Sequence, residues 1–518
     1  MKKVSILNHV IGPVMRGPSS SHTAGPWRIG CMARRLLGRT PERAVFSFHP
    51  SSSLAVCYHD QGSDLAFTSG LLGRSLTEPD FSSVLSLAPG LGLDISFECR
   101  TFPEADHPNS SLLTLWGGDR KLVIHSRSTG GGSFEIASLN GFPLLITGER
   151  HELLLSVSVN EVPDLPEIRG VECELIRSGE GYLIHASSGK PMPEDLFAGL
   201  PGKAEGHTVF AAEPVMFPMP GTGLCSTAAG MISAAEQTGI SLGKAALAYE
   251  EELLGIDKAI LQREMSHRLA IMTASVKQGF SDDLPMKLLR PSAGKLWKSA
   301  EKGSLFVGGP HARAAIRSMA ALHVCASGGV VCAAPTGGAA GVIPGVLVTL
   351  ANDLHVPEEK LLDALWAAGA IGMFHDSRST FAAEVAGCQV EIGAAGAMAA
   401  AAVVEAAGGT PRQACDAAAT VFQNVMGSVC DLIQGVVEIP CHSRNAALAS
   451  QAFLCSDLVL SGYTSPIPLD ETISAVDSVG RMLPEELRCT SRGGLALCPS
   501  ARAMPRLDKT NSNQGGKQ

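Results

Sequence analysis

The sequence predicts an α+β protein, with an N-terminal α/β domain followed by a mainly α-helical domain. Two contrasts predict it. Up to about residue 148, short β-branched and aromatic runs alternate with an amphipathic helical pattern; from Cys225 onward, long alanine-rich stretches of helical spacing are separated by glycine-rich breaks. At 518 residues the chain is also too long for one small domain.

A Gly-Pro-Ser turn at 17–21 leads into a predicted helix at 27–37, because Ile29, Met32, Ala33 and Leu36 fall on one face. Strand-like runs follow at 44–48, 93–97, 122–126 and 134–139, and these close a first domain over 1–148. Further strand-like runs at 153–159, 171–176 and 182–186, divided by Pro and Gly, mark a small β-containing insert or linker over 149–220. Helical spacing then dominates at 244–254, 256–275, 361–374, 393–407, 411–426 and 444–461, in a helical domain over 221–500. The last residues, 499–518, are polar, and a flexible tail is expected over 501–518. No internal repeat has a fixed period.

Composition excludes several classes of function. With 45% hydrophobic and 18% charged residues the chain can bury a core, so disorder throughout is excluded. A net charge of -9 and 5% aromatic residues argue against nucleic-acid binding. The apolar run 393–409 is alanine-rich and carries Glu405, which favours a buried helix over a membrane span. Met1-Lys2-Lys3 is not followed by a long apolar segment, and fourteen cysteines without a secretory signal suit a reducing compartment, so a cytoplasmic location is expected.

Three features carry candidate chemistry. Cys388, Cys430 and Cys441 are separated by 42 and 11 residues, with no short Cys-x-x-Cys pair, which disfavours a zinc ribbon or finger. Spacing alone leaves two readings open: buried hydrophobes in an alanine-rich domain, or ligands of a shared metal site. In Gly17-Pro18-Ser19-Ser20-Ser21-His22-Thr23-Ala24-Gly25-Pro26, five hydroxyl or imidazole side chains stand just before a helix. That exceeds what one cap needs and suits an anion such as a carboxylate. Ala334-Pro335-Thr336-Gly337-Gly338-Ala339-Ala340-Gly341 resembles a phosphate loop in composition, but Val342 and Ile343 follow where a Walker loop needs Lys and Ser or Thr. No Gly-x-Ser-x-Gly elbow or His-Glu-x-x-His motif occurs.

Taken in order, these segments resemble the iron–sulfur-dependent L-serine dehydratases (L-serine deaminases), in a form with β-type and α-type domains fused. The resemblance rests on Gly17 to Pro26, His107-Pro108-Asn109, Asn140-Gly141-Phe142, the 334–345 loop, Glu384 with Gly387-Cys388-Gln389, Gly408-Gly409-Thr410-Pro411, Cys430-Asp431, Pro440-Cys441 with Arg444-Asn445-Ala446, and Ser491-Arg492-Gly493-Gly494. It implies that Cys388, Cys430 and Cys441 ligate a [4Fe–4S] cluster with one open iron position. It implies that Ser19, Ser20, Ser21, His22, Thr23 and Thr336 bind the substrate, with His22 and His59 as candidate catalytic bases. The implied reaction is dehydration and deamination of L-serine to pyruvate and ammonia, in amino-acid degradation and gluconeogenesis, by a homodimer that needs no nucleic acid or membrane.

The chain departs from the family pattern at several points. Gln61 stands where the family's Gly-His-Gly-Thr-Asp segment has His, with His59 two residues earlier. Residues 377–382 bring Arg378 and Phe381 where the family has Asn-Ala-Ser-Ile-Ser-Gly, and Cys498 is followed by twenty residues where some members end in a fourth cysteine ligand. Two alternatives follow: a dehydratase of another β-hydroxy or β-substituted amino acid, or a non-catalytic iron–sulfur amino-acid sensor.

Overall fold

The structure, a computed structural model, describes residues 2–157, 165, 167–179, 181–193, 196, 208–223 and 225–510. Contacts divide the chain into two compact units, His22–Thr222 and Met1–Ser21 with Gly223–Gln518. The first 21 residues therefore count with the helical unit, and the strands of the 149–220 region count with the strands before them. The mixed α+β fold is as the sequence predicts.

In the strand-bearing unit, helix Ala24–Leu37 buries Ile29, Met32, Ala33 and Leu36, the face expected from their spacing. Gly38 ends it in the left-handed region at φ 79, where its N–H reaches the carbonyls of Arg34 and Arg35. Helix Ser63–Leu71 packs against it so closely that a Cβ on Gly70 would collide with the carbonyl oxygen of Trp27. The main sheet has six strands in the order Asp94–Cys99, Arg43–Phe48, Ser110–Gly117, Arg120–Gly130, Ser133–Leu139 and Phe142–Ile146. Only the first pair is parallel. Phe46, Phe48 and Phe67 anchor its core, with the Phe46 and Phe67 rings 4.3 Å apart.

A second, antiparallel sheet follows in the order Thr208–Ala212, His151–Val157, Gly181–Ser188 and Glu172–Ser178. Three of its strands coincide with the strand-like runs of the sequence, and positions 158–159 of the first run lie outside the described residues. In this sheet His185, only 4% exposed, places Nε2 2.7 Å from Glu152 Oε2 and Nδ1 2.9 Å from Glu174 Oε1.

The helical unit is built round helix Ile392–Ala406, all of whose residues are buried. Helices Glu358–Asp376, Pro411–Val425, Cys441–Leu460 and Val342–Asn352 close on it. Alanine and glycine on every side let them do so; a Cβ on Gly396, for example, would strike Leu448. The run Cys388–Ala406 is long and apolar enough to cross a membrane, yet 94% of its window is buried inside the protein. Helix Pro411–Val425 starts with a capping box between Thr410 and Gln413, and helix Lys258–Gln278 is capped by Asp257. Helices Pro310–Ala326 and Leu469–Met482 are not marked by the sequence reading.

The N-terminal segment is tied into this unit by a buried carboxylate. Glu250 accepts hydrogen bonds from Ser5 Oγ, Ile6 N and Leu7 N, and strand Val14–Arg16 pairs antiparallel with Val330–Cys332. The expected flexible tail differs as far as it is described. Ala501 is buried with Ile433 and Val436, Gln434 Nε2 donates to Met504 O, and Leu507 N donates to Lys287 O, so residues 499–510 lie against the helical unit. Apolar Ala501 and Met504 outweigh the polar character of the rest of the segment. Positions 511–518 lie outside the described residues.

The His185 pair sets a pH dependence. Burial opposes charge on the ring, but the hydrogen bonds and charges of Glu152 and Glu174 outweigh it and raise the His185 pKa; burial likewise raises Glu152. His185 holds its proton more tightly folded than unfolded, so its contribution is present below the unfolded histidine value of about 6.5 and is lost as pH rises through the folded one. Thermal melts should show stability falling from pH 6 to pH 9. His185→Leu, which strands Glu152, should cost about 3 kcal/mol at neutral pH and flatten that dependence; an unchanged slope would contradict it.

Candidate active site

Cys388, Cys430 and Cys441 come from three segments of the helical unit and are 2%, 3% and 5% exposed. Cys388 opens a single turn before helix Ile392–Ala406, positioned by Gly387 at φ 77. Cys441 is the first residue of helix Cys441–Leu460. Gln389, fully buried, joins the Cys388 turn to the approach to Cys430: its Nε2 donates to Ala386 O and its Oε1 accepts from Gly427 N. The Cys430 thiol faces Cys388, and Cys441 lies within electrostatic reach of both.

The structure adds a fourth thiol that the sequence reading lacks. Cys489 also faces Cys430, with Cys489 N donating to Cys430 O at 2.9 Å and Cys430 N donating to Leu487 O at 2.8 Å. Its φ of 64 is unusual for a residue with a side chain. The available sequence signal was its place two residues before Ser491-Arg492-Gly493-Gly494. Cys498, by contrast, is exposed.

The hydrogen bond with Cys430 and burial raise the Cys388 pKa well above the usual thiol value, and burial does the same for Cys441. For Cys430 the bond with Cys388 acts downward, but the bond with Cys489 and burial outweigh it. Each of these shifts favours the thiol over the thiolate, and a metal group binds by displacing the proton. An all-thiol donor set suits zinc or iron–sulfur chemistry. Among the described residues no three His, Cys, Asp or Glu side chains are grouped to hold a single metal ion.

Beside the thiols stands the 334–341 loop. Thr336 Oγ1 donates to Glu391 Oε1 at 2.6 Å, and Gly337 N donates to Ser20 Oγ at 3.3 Å. Gly337 admits no side chain, since a Cβ would lie 2.9 Å from Ser20 N and 3.0 Å from Pro18 O. Asn445 clamps the loop: Nδ2 donates to Gly338 O at 2.9 Å and to Cys441 O at 2.9 Å, while Oδ1 accepts from Gly341 N at 3.2 Å. Glu391, which the sequence reading did not select, donates its backbone N–H to Cys388 O, and desolvation pushes its carboxyl up to about 7. Ser20 and Thr336 are thus brought together in one unit with the cysteines, and Ser19 and Ser21 flank Ser20.

His22, Thr23 and His59 belong to the strand-bearing unit. His22, 1% exposed, has Nε2 3.2 Å from Ser53 Oγ. His59 is solvent-facing, with Nδ1 2.7 Å from Oδ2 of buried Asp64. Arg378 and Phe381, the residues departing from the family pattern, have partners of their own: Arg378 Nε donates to Asp470, and Phe381 stacks on buried His375.

Residues 237–496 match the family model described as serine dehydratase alpha chain, and the chain belongs to that family of lyases. A probable L-serine dehydratase alpha chain of Bacillus subtilis is 37% identical over 275 residues, 53% of this chain and 92% of the relative. The probable L-serine dehydratase beta chain of that organism is 40% identical over 155 residues, 30% of this chain and 69% of the relative. L-serine dehydratase 2 of Escherichia coli aligns over 500 residues at 28% identity, covering 93% of this chain and 96% of its own.

Asn445→Leu should leave Gly341 N and Gly338 O without their partner and lower stability by about 2 kcal/mol or more. Denaturant unfolding of the variant checks it, and an unchanged midpoint would mean that the loop does not depend on this clamp.

Proposed function

We propose that this chain is an iron–sulfur-dependent L-serine dehydratase that releases pyruvate and ammonia. The observation that carries the reading is the grouping of Cys388, Cys430 and Cys441 beside a loop joined to Ser20 and Glu391. Cys388, Cys430 and Cys441 would hold a [4Fe–4S] cluster, which supplies a Lewis acid for the departing β-hydroxyl.

This chain's own groups do the rest. The hydroxyls of Ser19, Ser20 and Ser21, with Thr336, bind the substrate carboxylate. Glu391, oriented by Thr336, accepts a hydrogen bond from the substrate's amino group. A histidine takes the α-proton, with His22 and His59 as the two candidates. Loss of that proton and of the hydroxyl as water gives 2-aminoacrylate, which tautomerises to the imine and is hydrolysed to pyruvate and ammonia.

Gln61 favours a second reading within the same class. It is buried at 4% exposure where the family resemblance leads one to expect an imidazole, so the substrate is a different β-hydroxy amino acid if L-serine is not turned over.

Protein purified and reconstituted without oxygen should contain iron and sulfide and release pyruvate from L-serine. Cys388→Ala should lose the cluster's visible absorbance and bring pyruvate release to background. Turnover in the absence of iron and sulfide would overturn the reading, and a full cluster without turnover of any hydroxy amino acid would favour a sensor.

A further inference from the structure

Arg444 stands one helical turn beyond Cys441, on the same face of helix Cys441–Leu460. Its guanidinium is held at three points. Nη1 donates to Val429 O at 2.7 Å and lies 3.4 Å from Cys388 Sγ, and Nη2 donates to Asp431 Oδ1 at 3.0 Å. Asp431, 4% exposed, is fixed in turn, because its Oδ2 accepts from Leu495 N at 3.0 Å. The two backbone neighbours of Cys430 therefore aim a permanent positive charge at the sulfur of Cys388.

A thiol has little use for such a donor, but a ligand thiolate does. An N–H···S hydrogen bond and a fixed cation next to a cluster ligand withdraw electron density, stabilise the reduced cluster and raise its potential. Because the fork is planar and always charged, its three contacts keep one nitrogen on sulfur in a way that a flexible ammonium cannot.

We propose that Arg444 is the positioning residue that tunes the cluster, through its hydrogen bond to Cys388, toward a higher reduction potential and slower oxidative loss. The inference rests on the cluster reading above. Asp431 opposes the effect by partly neutralising the guanidinium, so the potential reflects the balance of this pair.

The test is an EPR-monitored redox titration of anaerobically reconstituted wild type, Arg444→Lys, Arg444→Gln, Arg444→Met and Asp431→Asn, each with iron and sulfide quantified. Arg444→Met and Arg444→Gln should shift the midpoint negative and lose absorbance in air several-fold faster than wild type. Arg444→Lys, which keeps the charge, should fall between them and wild type, and Asp431→Asn should shift the midpoint positive. A purely structural clamp would lower cluster content without moving the potential of the clusters that form. Fully loaded Arg444→Met with a wild-type midpoint would overturn the inference. So would Asp431→Asn with an unmoved midpoint, which serves where the arginine variants fail to load. Wild type that takes up no iron and sulfide would overturn the functional reading itself.

Discussion

Burial of helix Ile392–Ala406 on every face is the constraint from which the site's geometry follows. A helix with no solvent side has no room for long side chains where four others must approach it, and alanine and glycine satisfy that need. The start of this helix then becomes a fixed point. Cys388 and Glu391 occupy the turn just before it, Thr336 reaches Glu391, and helix Cys441–Leu460 packs alongside with Cys441, Arg444 and Asn445 in its first turns. Asn445 matters out of proportion to its size, because one amide ties the 334–341 loop to the backbone of Cys441.

Much of this was legible in the sequence, for identifiable reasons. Helix Ala24–Leu37 announces itself by a clean apolar face, and the strands of the first sheet by β-branched and aromatic runs. The all-buried helix is visible as composition rather than periodicity. Cys388, Cys430 and Cys441 could be paired only through family resemblance, since their separations reflect the path of the chain rather than any local motif. Cys489 escaped because its link to Cys430 is a hydrogen bond from its backbone N–H, beside the Cys430–Arg488 bridge, between residues far apart in sequence. Glu391 escaped because nothing local distinguishes a carboxylate held by a distant threonine. Helix Pro310–Ala326 is hard to read because small and polar buried residues, Ser318 and His323 among them, blur its apolar face. Residues 499–510 were misread because two apolar side chains suffice to dock a segment that is otherwise polar.

The two departures near the cysteines show how a substitution looks different once its partners are known. Arg378 reads as a cation brought to the site, yet Asp470 takes its charge. Phe381 reads as an intrusive ring, yet it completes a stack in which His375 lies between Phe381 and Phe422. Gln61 remains the departure with a bearing on chemistry, since it removes a titratable ring and leaves His59 with Asp64 as the adjacent pair.

The division of the chain also bears on how the protein is made. Residues 5–7 wait for Glu250, and strand Val14–Arg16 waits for Val330–Cys332, while the whole strand-bearing unit is encoded between them. During synthesis that unit is complete while the first segment of the helical unit still lacks its partners. The helical unit therefore closes late, through contacts of long sequence separation that carry a large loop-closure entropy. The Cys430 thiol meets Cys489 only after residue 489 has emerged, well after the strands. The meeting of these two thiols is accordingly separated in time from the synthesis of the strands that form the sheets.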